Sequence, residues 1–241
     1  LEDLAKNFET KKDEIIAGLK RVMAALFTRE NMTVSYTADQ EGFSYLEGAM
    51  KKLSEKIPAG TGKIYPFTAP KENRNEGFTS SSKVNYVAHC GTFAGSGYSY
   101  TGALRILKVM LSYDYLWINI RVKGGAYGCM SGIGRSGEGY FVSYRDPEVK
   151  KSDDIYLGIP AYLENFEADE RTMTKYVIGT ISELDTPLTP RSKGLRSMTA
   201  WLAHITREEV QRERDEILSA TEEDIQKLAP YMKAILKTGS I

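Results

Sequence analysis

Residue types that form metal and redox sites are scarce in this sequence. Its 241 residues include two histidines, His89 and His204, and two cysteines, Cys90 and Cys129. Two cysteines cannot build a disulfide framework, so we expect a reducing compartment: the cytoplasm, or the mitochondrial matrix or another organelle if a leader was removed. Both cysteines fall in strand-like segments, where a reduced cysteine is usually buried. A structural histidine is the more frequent case for both imidazoles, because zinc needs several converging ligands.

An excess of charge of one sign is also absent. Lysine plus arginine equals aspartate plus glutamate, 32 each, whereas a general nucleic-acid-binding protein has a basic excess or stripe. The most apolar segment, 103–120, is interrupted by Arg105, Lys108 and Asp114, so it does not have the pattern of a membrane span. We therefore expect no nucleic-acid partner and no membrane partner. The sequence starts at Leu1 within a helical pattern, which indicates a piece of a longer protein.

Motifs for nucleotides and for nucleophilic catalysis are missing or fail in context. Residues 132–137 (GIGRSG) match G-x-G-x-x-G, but a dinucleotide site needs a helix directly after the glycines. The following residues, 140–144 (YFVSY), are typical of a strand instead. His89 beside Cys90 cannot form a catalytic pair, because adjacent strand residues point to opposite faces. Without a G-x-S-x-G elbow or a P-loop, no complete catalytic set is visible.

Apolar periodicity and capping residues predict an α+β layout. The expected helices cover about residues 1–28, 39–57, 100–120, 148–166, 169–184, 189–205, 206–219 and 221–236. The expected strands cover 32–37, 84–93, 126–133 and 139–144, the last two as an antiparallel hairpin. We expect residues 1–241 to form a single α+β domain, a largely antiparallel sheet with helices packed on one face. Residues 59–82, rich in glycine, proline and serine, would form a surface connection within it.

The segment 121–128 (RVKGGAYG) joins the most apolar predicted helix to the predicted hairpin. Its glycines, Gly124 and Gly125 among them, allow a sharp turn and the close approach of another chain. Arg121 supplies a planar fork of donors and Tyr127 a phenolic hydroxyl, which together can bind a carbonyl or a developing oxyanion. A structural role fits the same residues: an arginine stabilises a helix C-terminus, and a tyrosine at a strand start is usually core. Local chemistry alone favours the structural role.

Several segments resemble the C-terminal half of pitrilysin/insulysin-type zinc peptidases, with the presequence-protease and falcilysin-like branch as the best match. They are 28–31 (TREN), 121–128 (RVKGGAYG), 143–147 (SYRDP), 178–181 (IGTI) and 212–218 (RERDEIL). The resemblance covers nearly the whole chain apart from 61–82. It implies a metallohydrolase-like domain of the pitrilysin/processing-peptidase superfamily, the last of four related α+β domains that form two bowl-shaped halves around a closed chamber.

The resemblance also implies a function. The complete protein would be a zinc metallo-endopeptidase that degrades peptides, with zinc bound by an N-terminal half through an inverted H-x-x-E-H motif that this sequence lacks. This chain alone would hold no metal and be inactive. Arg121 would contact the substrate carbonyl and Tyr127 would stabilise the transition state as catalytic residues. Gly124 and Gly125 would complete the substrate-binding set. The expected partners are peptide substrates and the N-terminal catalytic half.

A second hypothesis uses the same resemblance without catalysis. The superfamily includes inactive core and partner subunits, so the chain fits a catalytically inactive scaffold or partner subunit as well. The family usually continues into another strand where this sequence stops, so the sequence leaves open whether the domain is trimmed at Ile241.

Overall fold

The computed structural model describes residues 2–61, 66, 68 and 75–239. The chain divides into two compact units, residues 1–69 with 188–204 and residues 70–187 with 205–241. The single domain over 1–241 therefore stays a prediction. Much of the expected connection at 59–82 lies outside the described residues.

Helices dominate the described chain. They are α1 (Glu2–Lys6), α2 (Phe8–Leu26), α3 (Gln40–Lys56), α4 (Ala103–Met110), α5 (Val149–Leu157), α6 (Ile159–Glu164), α7 (Glu170–Leu184), α8 (Pro190–Leu202), α9 (Arg207–Leu218), α10 (Glu222–Gln226) and α11 (Ala229–Thr238), with a 3₁₀ turn at Arg29–Asn31 and π-helical segments at Leu111–Tyr115 and Trp117–Val122. The strands of the described residues are β1 (Asn85–Thr92), β2 (Gly128–Ile133) and β3 (Glu138–Asp146). This arrangement confirms the α+β class with an antiparallel sheet flanked by helices.

Helix starts follow the capping residues that the sequence indicates. Asp39 and Asp169 each accept a backbone hydrogen bond in the first turns of α3 and α7. Thr206 and Glu209 form a reciprocal capping box at the start of α9. These contacts satisfy backbone donors that a helix otherwise leaves unpaired in its first turn.

The predicted strand at 32–37 is wrong, because these residues form neither strand nor helix. Met32, Val34 and Tyr36 alternate as in a strand, but a strand also needs a neighbouring chain to pair its backbone groups. No ladder partner for this segment exists among the described residues. The Tyr36 hydroxyl instead donates to the backbone carbonyl of Asp39 at 2.8 Å.

The first unit buries little of its own helical surface. No residue of α1, α2, α3 or α8 is buried. The apolar positions Leu19, Val22 and Leu26 of the predicted amphipathic helix are 58%, 52% and 59% exposed. The helix predicted to about residue 28 is divided between α1 and α2. The hydrophobic core of the described residues therefore lies in the second unit.

The sheet of the second unit has the strand order β1–β3–β2, and both pairings are antiparallel. β2 and β3 form the predicted hairpin. Val87, Phe141 and Ser143 are buried on one face, whereas Tyr86 and Tyr140 on the other face are 71% and 42% exposed. This period of two is expected of a sheet that helices cover on one side only.

The core fills the space between the covered sheet face and the helices. Its fully buried side chains include Leu104, Ile106, Leu107, Met110, Leu111, Leu116, Ile120, Ile159 and Leu163, each stabilising the fold by about 1.5–3 kcal/mol. Phe141 of β3 stacks on Tyr156 of α5 with ring centroids 5.8 Å apart. A Cβ at Gly91 would lie 1.9 Å from the carbonyl oxygen of Ile235, so this glycine lets α11 lie directly on β1.

The predicted central helix at 100–120 is regular only as far as Met110. From Leu111 to Val122 its turns widen to π-helical geometry, while Leu116 and Ile120 stay fully buried. Wide turns of this kind occur often near functional sites. None of the described helices is long and apolar enough to cross a membrane.

Candidate functional site

The end of the central helix bends sharply at Gly124 and Gly125 before β2 begins. The backbone N–H of Gly125 donates to the carbonyl of Arg121, and that of Ala126 donates to the carbonyl of Ile120, both at 3.1 Å. A Cβ at Gly124 would lie 2.4 Å from the Ile120 carbonyl oxygen. Gly125 has a φ of +81°, a left-handed conformation that glycine adopts without strain. The two glycines are therefore needed for different reasons, one to close the helix and one to reverse the chain.

This bend brings Arg121 and Tyr127 side by side. The Nη1 group of Arg121 donates a hydrogen bond to the backbone carbonyl of Tyr127. The guanidinium carbon lies 4.4 Å from the ring centroid of Trp117 and 5.5 Å from that of Tyr127, both within the range of cation–π attraction. Arg121 thus contacts both the backbone and the ring of Tyr127.

Neighbouring side chains contact the Tyr127 ring, whereas no described residue forms a hydrogen bond with its hydroxyl. Tyr144 meets it edge to face at 5.4 Å between centroids, and the guanidinium carbon of Arg145 lies 5.4 Å from its centroid. The Tyr127 side chain is 56% exposed. Its hydroxyl has no hydrogen-bond partner among the residues that the structure describes. Tyr127 is therefore not a core tyrosine with a satisfied hydroxyl, which was the structural alternative for this position.

Sequence reasoning assigned no role to Trp117 or Arg145. Trp117 lies one helical turn before Arg121, and that spacing was the available signal. Arg145 belongs to the segment 143–147 (SYRDP), which carries part of the family resemblance. Strict alternation along β3 would turn Arg145 toward the helices and bury it, whereas the structure leaves it exposed.

His89 has structural surroundings. Nδ1 of His89 lies 2.9 Å from Oδ1 of Asp153, and Nε2 lies 3.4 Å from the carbonyl oxygen of Leu236. His204 belongs to the other compact unit. No group of three or more histidine, cysteine, aspartate or glutamate residues that could hold a metal ion occurs in the described part of the chain. The residues described here therefore do not fit a zinc site.

Residues 132–137, the G-x-G-x-x-G match, run from the end of β2 through the hairpin turn and lead into β3, not into a helix. Arg135 in this turn donates from Nε and Nη2 to the two carboxylate oxygens of Glu213, each at 2.6 Å. This bidentate pair connects the hairpin to α9. Since no helix begins after the glycines, the geometry needed to bind a pyrophosphate is absent at this turn.

The two cysteines differ in exposure. Cys90 lies on the open sheet face and is exposed, so the expected burial is wrong for it; alternation along β1 turns it away from the helices. Cys129 lies on the covered face, where burial raises the pKa of its thiol to about 11 although Arg121 acts in the opposite direction.

A concave surface of about 700 Å³ lies along one side of α9. It is lined by Arg207, Glu208, Gln211, Arg212, Asp215, Glu216 and Ser219. These polar side chains belong to a single helix face and include neither Arg121 nor Tyr127. The free hydroxyl, the guanidinium groups and the glycine bend therefore identify the Tyr127 cluster as the candidate site, and we assign no role to the α9 surface.

Comparison with protein-family models gives a match over most of the chain. Residues 75–240 match the family described as the PreP C-terminal domain. The matched range includes the central helix, the glycine bend and all three described strands.

Curated relatives extend the similarity to the remaining residues. The chain is 41% identical over 233 residues to Protein HypA of Clostridium perfringens, covering 97% of the chain and 24% of that protein. It is 31% identical over 241 residues to Presequence protease 1, chloroplastic/mitochondrial, of Arabidopsis thaliana, covering 99% of the chain and 22% of that protein. The chain thus spans about a quarter of the length of these curated relatives.

Solved structures share the fold at low sequence identity. A protease from Helicobacter pylori has a TM-score of 0.60 at 14% identity, covering 84% of this chain and 52% of that one. A peptidase M16 inactive domain from Pseudomonas fluorescens has a TM-score of 0.57 at 16% identity, covering 93% and 55%. Pitrilysin has a TM-score of 0.51 at 13% identity, covering 83% and 22%. At these identities the likeness concerns the fold alone.

Proposed function

The chain belongs to the PreP C-terminal domain family, and we propose that it is the C-terminal, non-zinc-binding part of a zinc metallo-endopeptidase that degrades peptides. In this role it supplies Arg121 and Tyr127 to the substrate. Its partners are peptide substrates and an N-terminal catalytic half of the same protein. The names of the relatives, which include presequence proteases, support the reaction class.

One observation carries this proposal: Tyr127 is exposed and its hydroxyl has no hydrogen bond to any described residue, while its ring is held by its neighbours. A neutral phenol in a fixed position is a good donor to negative charge that develops on a carbonyl oxygen. Because its ring is already restrained, little orientational freedom is lost when the substrate is bound. Tyr127 therefore stabilises the transition state of peptide hydrolysis.

Arg121 has donors left for a substrate carbonyl. A guanidinium carries five N–H donors, and Arg121 uses one of its nitrogens on the Tyr127 carbonyl. No carboxylate of the described chain lies within ion-pair distance of it. Stacking on Trp117 keeps the guanidinium plane in place. Arg121 therefore binds the substrate carbonyl next to the Tyr127 hydroxyl.

Gly124 and Gly125 complete the substrate-binding set in this proposal. Gly125 is exposed, and a Cβ there would meet only Pro147 at 3.6 Å. A peptide can therefore approach the Gly125 backbone closely. Gly124 contributes indirectly, since its missing side chain lets the helix close directly under Arg121.

Zinc enters this proposal only through the rest of the protein. The described residues offer no ligand set, so the N-terminal half would bind the metal. When bound there, zinc would supply a Lewis acid for the attack of water on the peptide carbonyl. The part played by this chain is to orient the peptide and to donate hydrogen bonds.

Exchange of Tyr127 for phenylalanine in the complete protein tests the proposal. Cleavage of a mixture of unstructured peptides, read by mass spectrometry, first identifies a bond that is cut. A quenched fluorogenic peptide built around that bond then gives kcat and KM. Tyr127→Phe should lower kcat more than about tenfold, as expected when one oxyanion donor is removed. Wild-type turnover in that variant would refute the assignment.

Tyr113→Phe is the matched control for this experiment. Tyr113 is 68% exposed on the same central helix and makes no contact with Tyr127. Its exchange should leave kcat unchanged. Zinc content of the complete protein should be the same in both variants, which separates loss of a donor from loss of the metal.

A catalytically inactive scaffold or partner subunit is the second candidate function. The similarity in fold to a peptidase M16 inactive domain favours it. A complete protein that holds no zinc and cuts no peptide would support this alternative. The compartment is a further proposal: the cytoplasm, with the mitochondrial matrix or another organelle as the alternative that the relatives' names favour.

A further inference from the structure

Strand β3 contains a bulge next to the candidate site. In the β1–β3 ladder Asn85 pairs with Asp146 and Tyr86 pairs with Tyr144, so Arg145 has no partner. Arg145 also has a φ of +50°, a left-handed conformation that residues with long side chains rarely adopt. Bulges of this kind redirect side chains and are frequent next to active sites.

The bulge exchanges the faces of two neighbouring side chains. Phe141 and Ser143 are buried, so regular alternation would bury Arg145 and expose Asp146. Instead Asp146 is only 1% exposed and Arg145 is on the surface. The inserted residue therefore keeps the Asp146 carboxylate buried and leaves the Arg145 side chain exposed.

The buried carboxylate fixes this arrangement. Ser152 donates to Oδ2 of Asp146 at 2.5 Å, and the Ser143 hydroxyl donates to the same oxygen. The backbone N–H of Glu148 donates to Oδ1 at 2.9 Å. Three donors on one buried carboxylate hold the residue that follows Arg145, and with it the bulge.

Arg145 contacts Tyr127 through both its backbone and its side chain. The Tyr127 N–H lies 3.2 Å from the carbonyl oxygen of Tyr144 and 3.3 Å from that of Arg145. The Arg145 guanidinium carbon lies 5.4 Å from the centroid of the Tyr127 ring. No carboxylate in the described part of the chain forms an ion pair with Arg145. The positive charge of Arg145 therefore interacts with the Tyr127 ring.

We infer that Arg145 is a positioning residue for Tyr127: the bulge places a second guanidinium beside the phenol ring, and the two cations restrain the orientation of its hydroxyl. The inference rests on the proposed function of Tyr127. Arg145 acts through Tyr127 and not on the substrate. Removing its cation should therefore reduce kcat, because the donor is oriented less well, and should change KM little.

Two variants of the complete protein separate charge from backbone strain. Arg145→Gln and Arg145→Lys both keep a long side chain at a left-handed position, but only the lysine keeps the cation. With the quenched fluorogenic peptide, Arg145→Gln should lower kcat about fivefold, the size of one exposed cation–π contact. KM should stay within about twofold, and Arg145→Lys should recover at least about half of the loss. Arg171→Gln, an exposed arginine on α7, should match the wild type.

A double-mutant cycle shows whether Arg145 acts through the hydroxyl. In a Tyr127→Phe background, Arg145→Gln should change kcat by less than about 1.5-fold, because contacting residues that act as one unit are not additive. An equal fivefold loss in both backgrounds would overturn the inference, since Arg145 would then act independently of Tyr127. A change confined to KM would overturn it as well.

A spectroscopic probe separates this inference from the proposed function. 3-Fluorotyrosine incorporated at position 127 of the complete protein gives one ¹⁹F resonance. Arg145→Gln should shift and broaden that resonance, and Arg145→Lys should restore it partly. If Tyr127→Phe keeps wild-type turnover, the proposed function fails, yet the resonance still reports the contact. An unchanged resonance in Arg145→Gln refutes the contact itself.

Discussion

Gly128 of β2 lies directly opposite Tyr144 of β3, and a Cβ at Gly128 would lie 2.3 Å from the Tyr144 ring. The glycine gives the ring the space to lie over the neighbouring strand, where its edge meets Tyr127. The same pairing recurs four residues along each strand, where Gly132 faces Tyr140 and a Cβ would lie 2.5 Å from the ring. The third glycine of the 121–128 segment is therefore needed by a side chain across the ladder, not by its own backbone conformation.

Gly128→Ala should destabilise the second unit by about 1–3 kcal/mol, because the added methyl group must displace the Tyr144 ring or the strand. Urea unfolding followed by tryptophan fluorescence and circular dichroism measures the change. Gly179→Ala in α7 is the matched control. Its Cβ would meet Val109 at an ordinary 3.5 Å, and alanine in a helix interior should be neutral or stabilise by up to about 1 kcal/mol. Equal stability of the two variants would contradict the close contact.

Helix starts were predictable where a capping residue marks them, because that signal is local, whereas the predicted helices 148–166 and 221–236 are each divided in two in the structure. Asp39, Asp169, Thr206 and Thr221 each cap the helix that the sequence places after them. The absence of a strand at 32–37 was not predictable, because alternation states which face is apolar but not whether a partner chain is present. Only contacts distant in sequence decide that.

For the candidate site, the sequence names Arg121 and Tyr127 but neither Trp117 nor Arg145, and it does not give the geometry. The sequence singles out Arg121 and Tyr127 by their residue types and the glycines between them. The widening of the helix after Leu111 and the bulge at Arg145 carry no local signal, because both depend on how the element packs on its neighbours. The sequence therefore does not predict that the Arg145 guanidinium lies beside Tyr127.

Removing the Glu213 carboxylate should destabilise the second unit, because two arginines pair with it. Glu213 is 4% exposed, forms the bidentate pair with Arg135 and lies 3.5 Å from Nε of Arg105. Glu213→Gln would leave two partly exposed arginines without this counter-charge. We expect a loss of about 1–3 kcal/mol in urea unfolding, the usual cost when a buried hydrogen-bonded group is removed from its partners.

Asp154→Asn is the control for Glu213→Gln. Asp154 pairs with Lys150 on the surface, and the two side chains are 56% and 88% exposed. Its loss should cost less than about 1 kcal/mol and should shrink further in high salt. A comparable cost for both variants would mean that the Glu213 cluster is solvated.

His89 should matter for stability and not for metal binding. It lies between Asp153 and the Leu236 carbonyl, so His89→Asn should weaken the contact between β1 and the end of α11 by about 1–3 kcal/mol, the cost of unsatisfied buried groups. Zinc content of the complete protein, measured by inductively coupled plasma mass spectrometry, should be unchanged. A drop in zinc content on this exchange would instead indicate that His89 is a metal ligand.

The thiols should react at different rates because of their surroundings. Burial raises the pKa of Cys129 to about 11, so at pH 8 it should carry about 200-fold less thiolate than a cysteine of ordinary pKa, about 8.5. Iodoacetamide at pH 8 should therefore modify the exposed Cys90 well before Cys129, as read by peptide mapping. The rate at Cys129 should rise about tenfold for each pH step toward 11, since alkylation requires the thiolate. The folded state holds this proton more tightly than the unfolded chain, so stability should also fall as pH rises above about 8.5. In urea both cysteines should react alike, and equal rates at pH 8 in the native protein would show that Cys129 is not desolvated.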